Sequence, residues 1–132
     1  MLENKKINPW PWQDAFGFSQ AIETSGHTRV LRISGQTSTN ASGEPMHAGD
    51  MAGQVGLAMD NLEAVLKAAN MSLANVVRMT LYTPDVDGFL GAYGGATTRL
   101  GAADVQPAMT LLGVARLFLP DLLIEIEAEA VA

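Results

Sequence analysis

The sequence predicts an α+β domain, a mixed sheet carrying two helices on one face, in the order β-β-α-β-α-β-β. Three observations predict it. Apolar residues recur at helical spacing from Met51 to Ala69. Val76 to Thr83 is a run of β-formers stopped by Pro84. Leu122 to Val131 alternates strictly, with Leu122, Ile124, Ile126, Ala128 and Ala130 on one face and Leu123, Glu125, Glu127, Glu129 and Val131 on the other. Helices on one sheet face leave the other face bare. The chain has 132 residues, of which only 17% are charged, against about 25% in ordinary soluble domains. A bare face and a surface short of charge together predict self-association.

Composition also excludes. With no cysteine, the chain has no disulfide, thiolate metal site or cysteine nucleophile. A net charge of −6 argues against a nucleic-acid partner, because phosphate binding needs a cationic surface. No apolar run approaches the roughly 20 residues of a membrane span, and residues 1–14 hold no signal-peptide stretch. The expected compartment is the cytoplasm, with no membrane partner.

In chain order, residues 1–14 read as an extended arm, since Pro9 and Pro11 push their preceding residues out of helical geometry. Trp10 and Trp12 either anchor that arm or stack on a ligand. Residues 15–132 read as one domain. Phe16–Thr24 and Arg29–Ser34 are candidate strands around the turn Ser25-Gly26-His27, and residues 35–49 are punctuated as a loop. Asp50 caps a helix whose stripe is Met51, Val55, Ala58, Leu62, Val65 and Ala69, with Asn70 as its stop. Asp85 or Asp87 caps a second helix, with Phe89, Leu90, Tyr93, Thr97 and Leu100 inward and Gly101 as its end. Gly91, Gly94 and Gly95 inside it cost about 1 kcal/mol each relative to Ala, so the helix is weak or something packs close to its backbone. Ala108–Ala115 is a strand entered after Pro107.

Glu125, Glu127 and Glu129 share a strand face at steps of roughly 6.5–7 Å. They form either a solvated outer face or an acid/base or cation site. There is no phosphate-binding glycine loop, no nucleophile elbow and no pair of histidines close in sequence, since His27 and His47 lie in turn and loop. No cofactor and no metal are expected.

The segments Phe16-Gly17-Phe18-Ser19-Gln20-Ala21, Ile33-Ser34-Gly35-Gln36, Asp60-Asn61-Leu62, Val76-Val77-Arg78-Met79-Thr80, Val114-Ala115-Arg116-Leu117 and Ile124-Glu125-Ile126-Glu127-Ala128 together resemble the RidA/YjgF family over residues 16–131. The resemblance implies a chorismate-mutase-like fold and a homotrimer with clefts between subunits. In those clefts family members hydrolyse enamines and imines produced by pyridoxal-phosphate enzymes. It implies that an Arg in a Pro-Ala-Arg-Ser/Thr segment grips the substrate carboxylate, and that a Glu of the last strand, here Glu125, positions water.

The chain departs from that pattern. It reads Pro107-Ala108-Met109-Thr110, placing Met109 where the Arg would stand, and a thioether cannot grip a carboxylate. Tyr93 stands where many members carry Asn, and Phe18 where they carry Tyr. By resemblance the substrate-binding set is Phe18, Ser34, Gly35, Tyr93, Met109 and Thr110, with Glu125 as the catalytic acid. The reading favours hydrolysis or tautomerisation of an enamine or imine that lacks a carboxylate. The alternatives are a non-catalytic small-molecule-binding module, a 2-imino-acid deaminase using Arg116 as substitute cation, and, last, an endoribonuclease or translation inhibitor. Met109, Leu111 and Phe18 are expected to dry the cleft, and no cation is expected in it. Desolvation and the like charge of Glu127 should then raise the Glu125 pKa.

Overall fold

The computed structural model describes residues 1–132. Its elements are β1 (Glu3–Ile7), a 3-10 turn (Trp12–Phe16), β2 (Ala21–Ser25), β3 (Val30–Thr37), α1 (Met51–Ala68), a second 3-10 turn (Leu73–Asn75), β4 (Val76–Thr83), α2 (Val86–Ala92), α3 (Gly94–Ala102), β5 (Ala108–Gly113) and β6 (Glu125–Val131). The central sheet runs β3-β6-β4-β5. β4 and β5 are parallel, and β6 is antiparallel to both β3 and β4. This is the mixed α+β sheet that the sequence predicts, with three helices rather than two.

The N-terminal third departs most from expectation. The extended segment pairs as β1 antiparallel to β2, from Glu3 opposite Ser25 to Ile7 opposite Ala21. Residues 16–20, expected to begin a strand, instead close a 3-10 turn at Gly17, which sits at φ 75°. β2 and β3 are not a hairpin across Ser25-Gly26-His27, because β2 pairs with β1 and β3 with β6. Ser19 joins this small sheet to β5: its N–H donates to the Pro107 carbonyl (3.0 Å) and its hydroxyl to the Gln106 carbonyl (2.6 Å).

α1 follows its sequence closely. The Asp50 carboxylate accepts from the Gly53 N–H at 3.0 Å, and Asn70 takes the left-handed conformation just past the end, with φ 56°. Val55, Ala58, Met59, Leu62 and Leu66 are fully buried against the sheet. The second predicted helix is two helices meeting at Tyr93. Asp85, not Asp87, caps α2 by accepting from the Gly88 N–H at 3.0 Å. Gly95 permits a close approach to α1, since a Cβ there would stand 3.2 Å from Val55 Cγ1. Leu90, expected inward, is instead more than half exposed.

Strand alternation sorts the sheet into two faces. Met79, Leu81, Ile126, Ala128 and Ala130 are buried under the helices in one core. Arg78, Thr80 and Tyr82 of β4 lie opposite Glu129, Glu127 and Glu125 of β6 on the other face. No helix packs on that face: α1 contacts the sheet on the core side and binds α2 and α3. β5 and β6 are each shorter than predicted, beginning or ending where the 114–124 connection turns away.

Candidate functional site

The open face holds the acidic group. Glu125 opens β6 opposite Thr37 and Tyr82. The β3 ladder shifts register between Ile33 and Gln36, so Ser34 and Gly35 lie in a bulge. Gly35 is there because its backbone presses on the acid: a Cβ would stand 2.5 Å from the Glu125 carboxyl carbon. The Tyr82 hydroxyl donates to Glu127 Oε1 at 2.5 Å. Burial raises the Glu125 pKa above the ordinary carboxyl value, and the like charge of Glu127 adds to it. The Tyr82 phenol is likewise raised, first by its hydrogen bond to Glu127. Arg78 shares this face, but its guanidinium donates to the Thr110 hydroxyl at 2.6 Å rather than to a carboxylate. Ser34, Arg78, Thr80 and Glu127 line one shallow depression there.

The second group lies across the sheet edge. Phe18, Tyr93 and Met109 converge on a cavity of about 300 Å³ whose nine lining residues are all apolar. The 3-10 turn brings Trp12 and Phe16 to it, and Trp12 meets Phe16 and Phe18 edge-on, with ring centroids 6.2 and 5.7 Å apart. The Tyr93 hydroxyl donates to the Phe16 carbonyl at 2.7 Å and stands 3.7 Å from Met109 Sδ. Burial pushes its phenol pKa up.

The expected site residues therefore fall into two sets. Ser34, Gly35, Thr110 and Glu125 belong to the open face, and Phe18, Tyr93 and Met109 to the apolar cavity. Met109 pairs with buried Met79 and Leu111 with buried Leu81, so both point to the helix side of the sheet. Within one chain the neighbours of Glu125 are Gly35, Thr37 and Tyr82, and Met109, Leu111 and Phe18 lie on the other side of the sheet. A cation does share the open face, Arg78, which stands opposite Glu129 rather than Glu125. The alternation Arg78, Thr80, Tyr82 was the signal for it. Trp12 stands at the cavity, while Trp10 is 57% exposed and has no aromatic partner.

Arg32 also lies on the open face, 3.9 Å from Glu129, while Arg116 and Arg99 are engaged elsewhere. Arg116 donates to the Leu117 and Phe118 carbonyls at 3.1 and 3.3 Å, which ties down its own loop. Arg99 joins α3 to α1 through Asp60 (2.6 Å) and Glu63 (2.8 Å). No three His, Asp or Glu side chains are grouped to hold a metal ion, and no helix is long and apolar enough to cross a membrane.

A mixed sheet backed by helices on one face, with an acid at the head of the last strand against a glycine bulge, defines a class of small α+β proteins. Comparison with known proteins narrows it. The family model described as Endoribonuclease L-PSP matches residues 12–132. A RutC family protein of Pyrococcus horikoshii is 33% identical over 113 residues, 86% of this chain and 85% of that protein. The crystal structure of the conserved Rid family protein YyfB of Yersinia pestis is 36% identical, with a TM-score of 0.85 over 98% of each chain. The YjgF gene product of E. coli is 28% identical, with a TM-score of 0.69 over 97% of this chain and 93% of that one. The chain belongs to the RidA/YjgF family.

Proposed function

We propose that three copies of this chain assemble into a homotrimer and hold a small metabolite in clefts between them. Each cleft joins Glu125, Gly35 and Ser34 of one copy to the Phe18–Tyr93–Met109 cavity of the next. The observation that carries this reading is the division of the site residues between two faces of one sheet. No single chain presents both sets to one ligand, whereas a second copy can. The bare sheet face and the low charge fraction support the same assembly.

The chemistry we propose is hydrolysis of an enamine or imine that carries no carboxylate. An enamine is protonated at carbon to give the imine, water adds to the imine carbon, and the nitrogen leaves as ammonia with a carbonyl product. An acid whose protonated form is favoured by its surroundings suits both proton deliveries, and the carboxylate it becomes can accept the proton of the attacking water. The raised pKa of Glu125 supports that role. Nothing in the cavity supports a carboxylate grip, because Met109 is uncharged and Arg116 is spent on loop carbonyls.

A second reading, binding without turnover, is favoured by the cavity alone, whose hydroxyl is already committed to the Phe16 carbonyl. One experiment separates the two. Ammonia release is followed from enamines generated in situ, with and without a carboxylate, beside sedimentation of the protein. A trimer that accelerates hydrolysis of the carboxylate-free compound, and loses this in Glu125→Gln, supports the enzyme. A trimer that leaves both rates unchanged supports the binding module, and a monomer overturns both.

A further inference from the structure

We infer that the apolar cavity is a binding site for an uncharged aromatic ring. The inference deepens the cleft reading above and rests on it for the placement of Glu125 beside the ring.

The lining sets the ligand's chemistry. All nine residues are apolar and none carries a charge. The one hydroxyl among them, that of Tyr93, donates to the Phe16 carbonyl at 2.7 Å. An anion would therefore be desolvated against ring faces with no charged partner, and a cation would exchange its hydration for ring faces alone, with no carboxylate in the lining.

Size and shape set the rest. A dry apolar cavity of roughly 150 Å³ accepts benzene, so about 300 Å³ accommodates a substituted or bicyclic ring. The walls are themselves aromatic. Trp12 is set at 73° to Phe16 and 74° to Phe18, and Tyr93 is tilted 57° from Phe89. Rings crossing at such angles leave a slot in which a flat guest meets both faces and edges, the arrangements aromatic pairs prefer. Met109 adds a polarizable sulfur beside the ring. In a single copy the mouth is exposed: Trp12, Phe16 and Leu90 are each more than half accessible, a large apolar display.

The test titrates three compounds of similar size into the full protein: benzyl alcohol, benzoate and benzylammonium. The signal is the methyl resonance of Met109 in 13C-methionine-labelled protein, which a ring in the cavity shifts. Benzyl alcohol is expected to bind at least about tenfold more tightly than either ion, a difference near 1.4 kcal/mol. Trp12→Ala should weaken it by a similar factor, and Met109→Arg should reverse the preference toward benzoate. Preference of the unaltered protein for benzoate, preference for the ammonium ion, or binding that leaves Met109 unshifted would each overturn the inference. So would failure of all three compounds to bind. If carboxylate-free enamines are nonetheless hydrolysed by a trimer, the cleft reading survives that failure. A monomer that still binds benzyl alcohol preserves the ring site and removes the cleft.

Discussion

Met109 and Glu125 face away from each other across one sheet, with β4 between their strands. Met109 pairs with the buried Met79 and looks into the apolar cavity, while Glu125 pairs with Tyr82 on the open face. A ligand held by both must touch two copies of the chain.

Met109→Arg should create an anion grip that the natural chain lacks. The unaltered protein is expected to accelerate 2-imino-acid hydrolysis little, and the variant to gain at least about tenfold through a charge-assisted contact. A coupled imine-hydrolysis assay on both proteins reads this. Activity of the unaltered protein that Arg116→Ala abolishes would show that Arg116 leaves its loop carbonyls to bind substrate.

Glu125→Gln should change how stability depends on pH. Because the folded pKa of Glu125 is raised, the folded state holds this proton to higher pH than the unfolded chain. Its contribution is complete below the unfolded carboxyl value of about 4.3 and is lost as pH rises through the folded value. The variant should therefore match the parent near about pH 4 and exceed it from about pH 6 to 8. Urea denaturation at fixed protein concentration measures both, and equal stability at every pH would contradict the burial of this acid.

Gln54 is fully buried and joins three backbone groups: its Nε2 donates to the His47 and Asp121 carbonyls at 3.2 and 2.7 Å, and its Oε1 accepts from the Leu123 N–H at 2.8 Å. It thereby holds the segment leading into Glu125 against α1. Gln54→Leu keeps the volume and orphans those groups, so unfolding should cost about 3 kcal/mol less. A change below about 0.5 kcal/mol in denaturant titration would show that water replaces the amide.

The glycines of α3 should respond in opposite ways. Gly101 has open space where a Cβ would go, so Gly101→Ala should stabilise by up to about 1 kcal/mol. Gly95→Ala meets Val55 Cγ1 at 3.2 Å and should stabilise less or destabilise. Thermal unfolding of the two variants side by side checks the difference.

These elements also show what was legible in the sequence. α1 and β6 carry long, unbroken periodicities and were read with their buried faces, α1 with its cap as well, while β4 was read as a run of β-formers up to Pro84. The N-terminal third was not, because β1 is short, mostly polar and exposed along its length. Its pairing with β2 is a tertiary choice, and no hairpin turn announces it. The helix break at Tyr93 was foreshadowed by Gly91, Gly94 and Gly95 but not located, since Tyr93 itself keeps helical backbone angles. For the candidate site, the sequence names residues but not how they divide between two faces. Period two puts Met109 and Thr110 on opposite faces at once, yet which face meets Glu125 depends on strand order across the sheet.

The central claim is that Glu125 of one copy meets the apolar cavity of another. The chain has no cysteine, so Leu90→Cys, at the cavity mouth, takes a single nitroxide label. Labelled chains are mixed with unlabelled 15N chains under conditions that exchange subunits, and intermolecular relaxation of the 15N amides is measured. The account predicts broadening of Gly35 and Glu125 in chains that carry no label. Unbroadened Gly35 and Glu125 amides in demonstrably mixed assemblies, or a protein that remains a 14.0 kDa monomer, would contradict it.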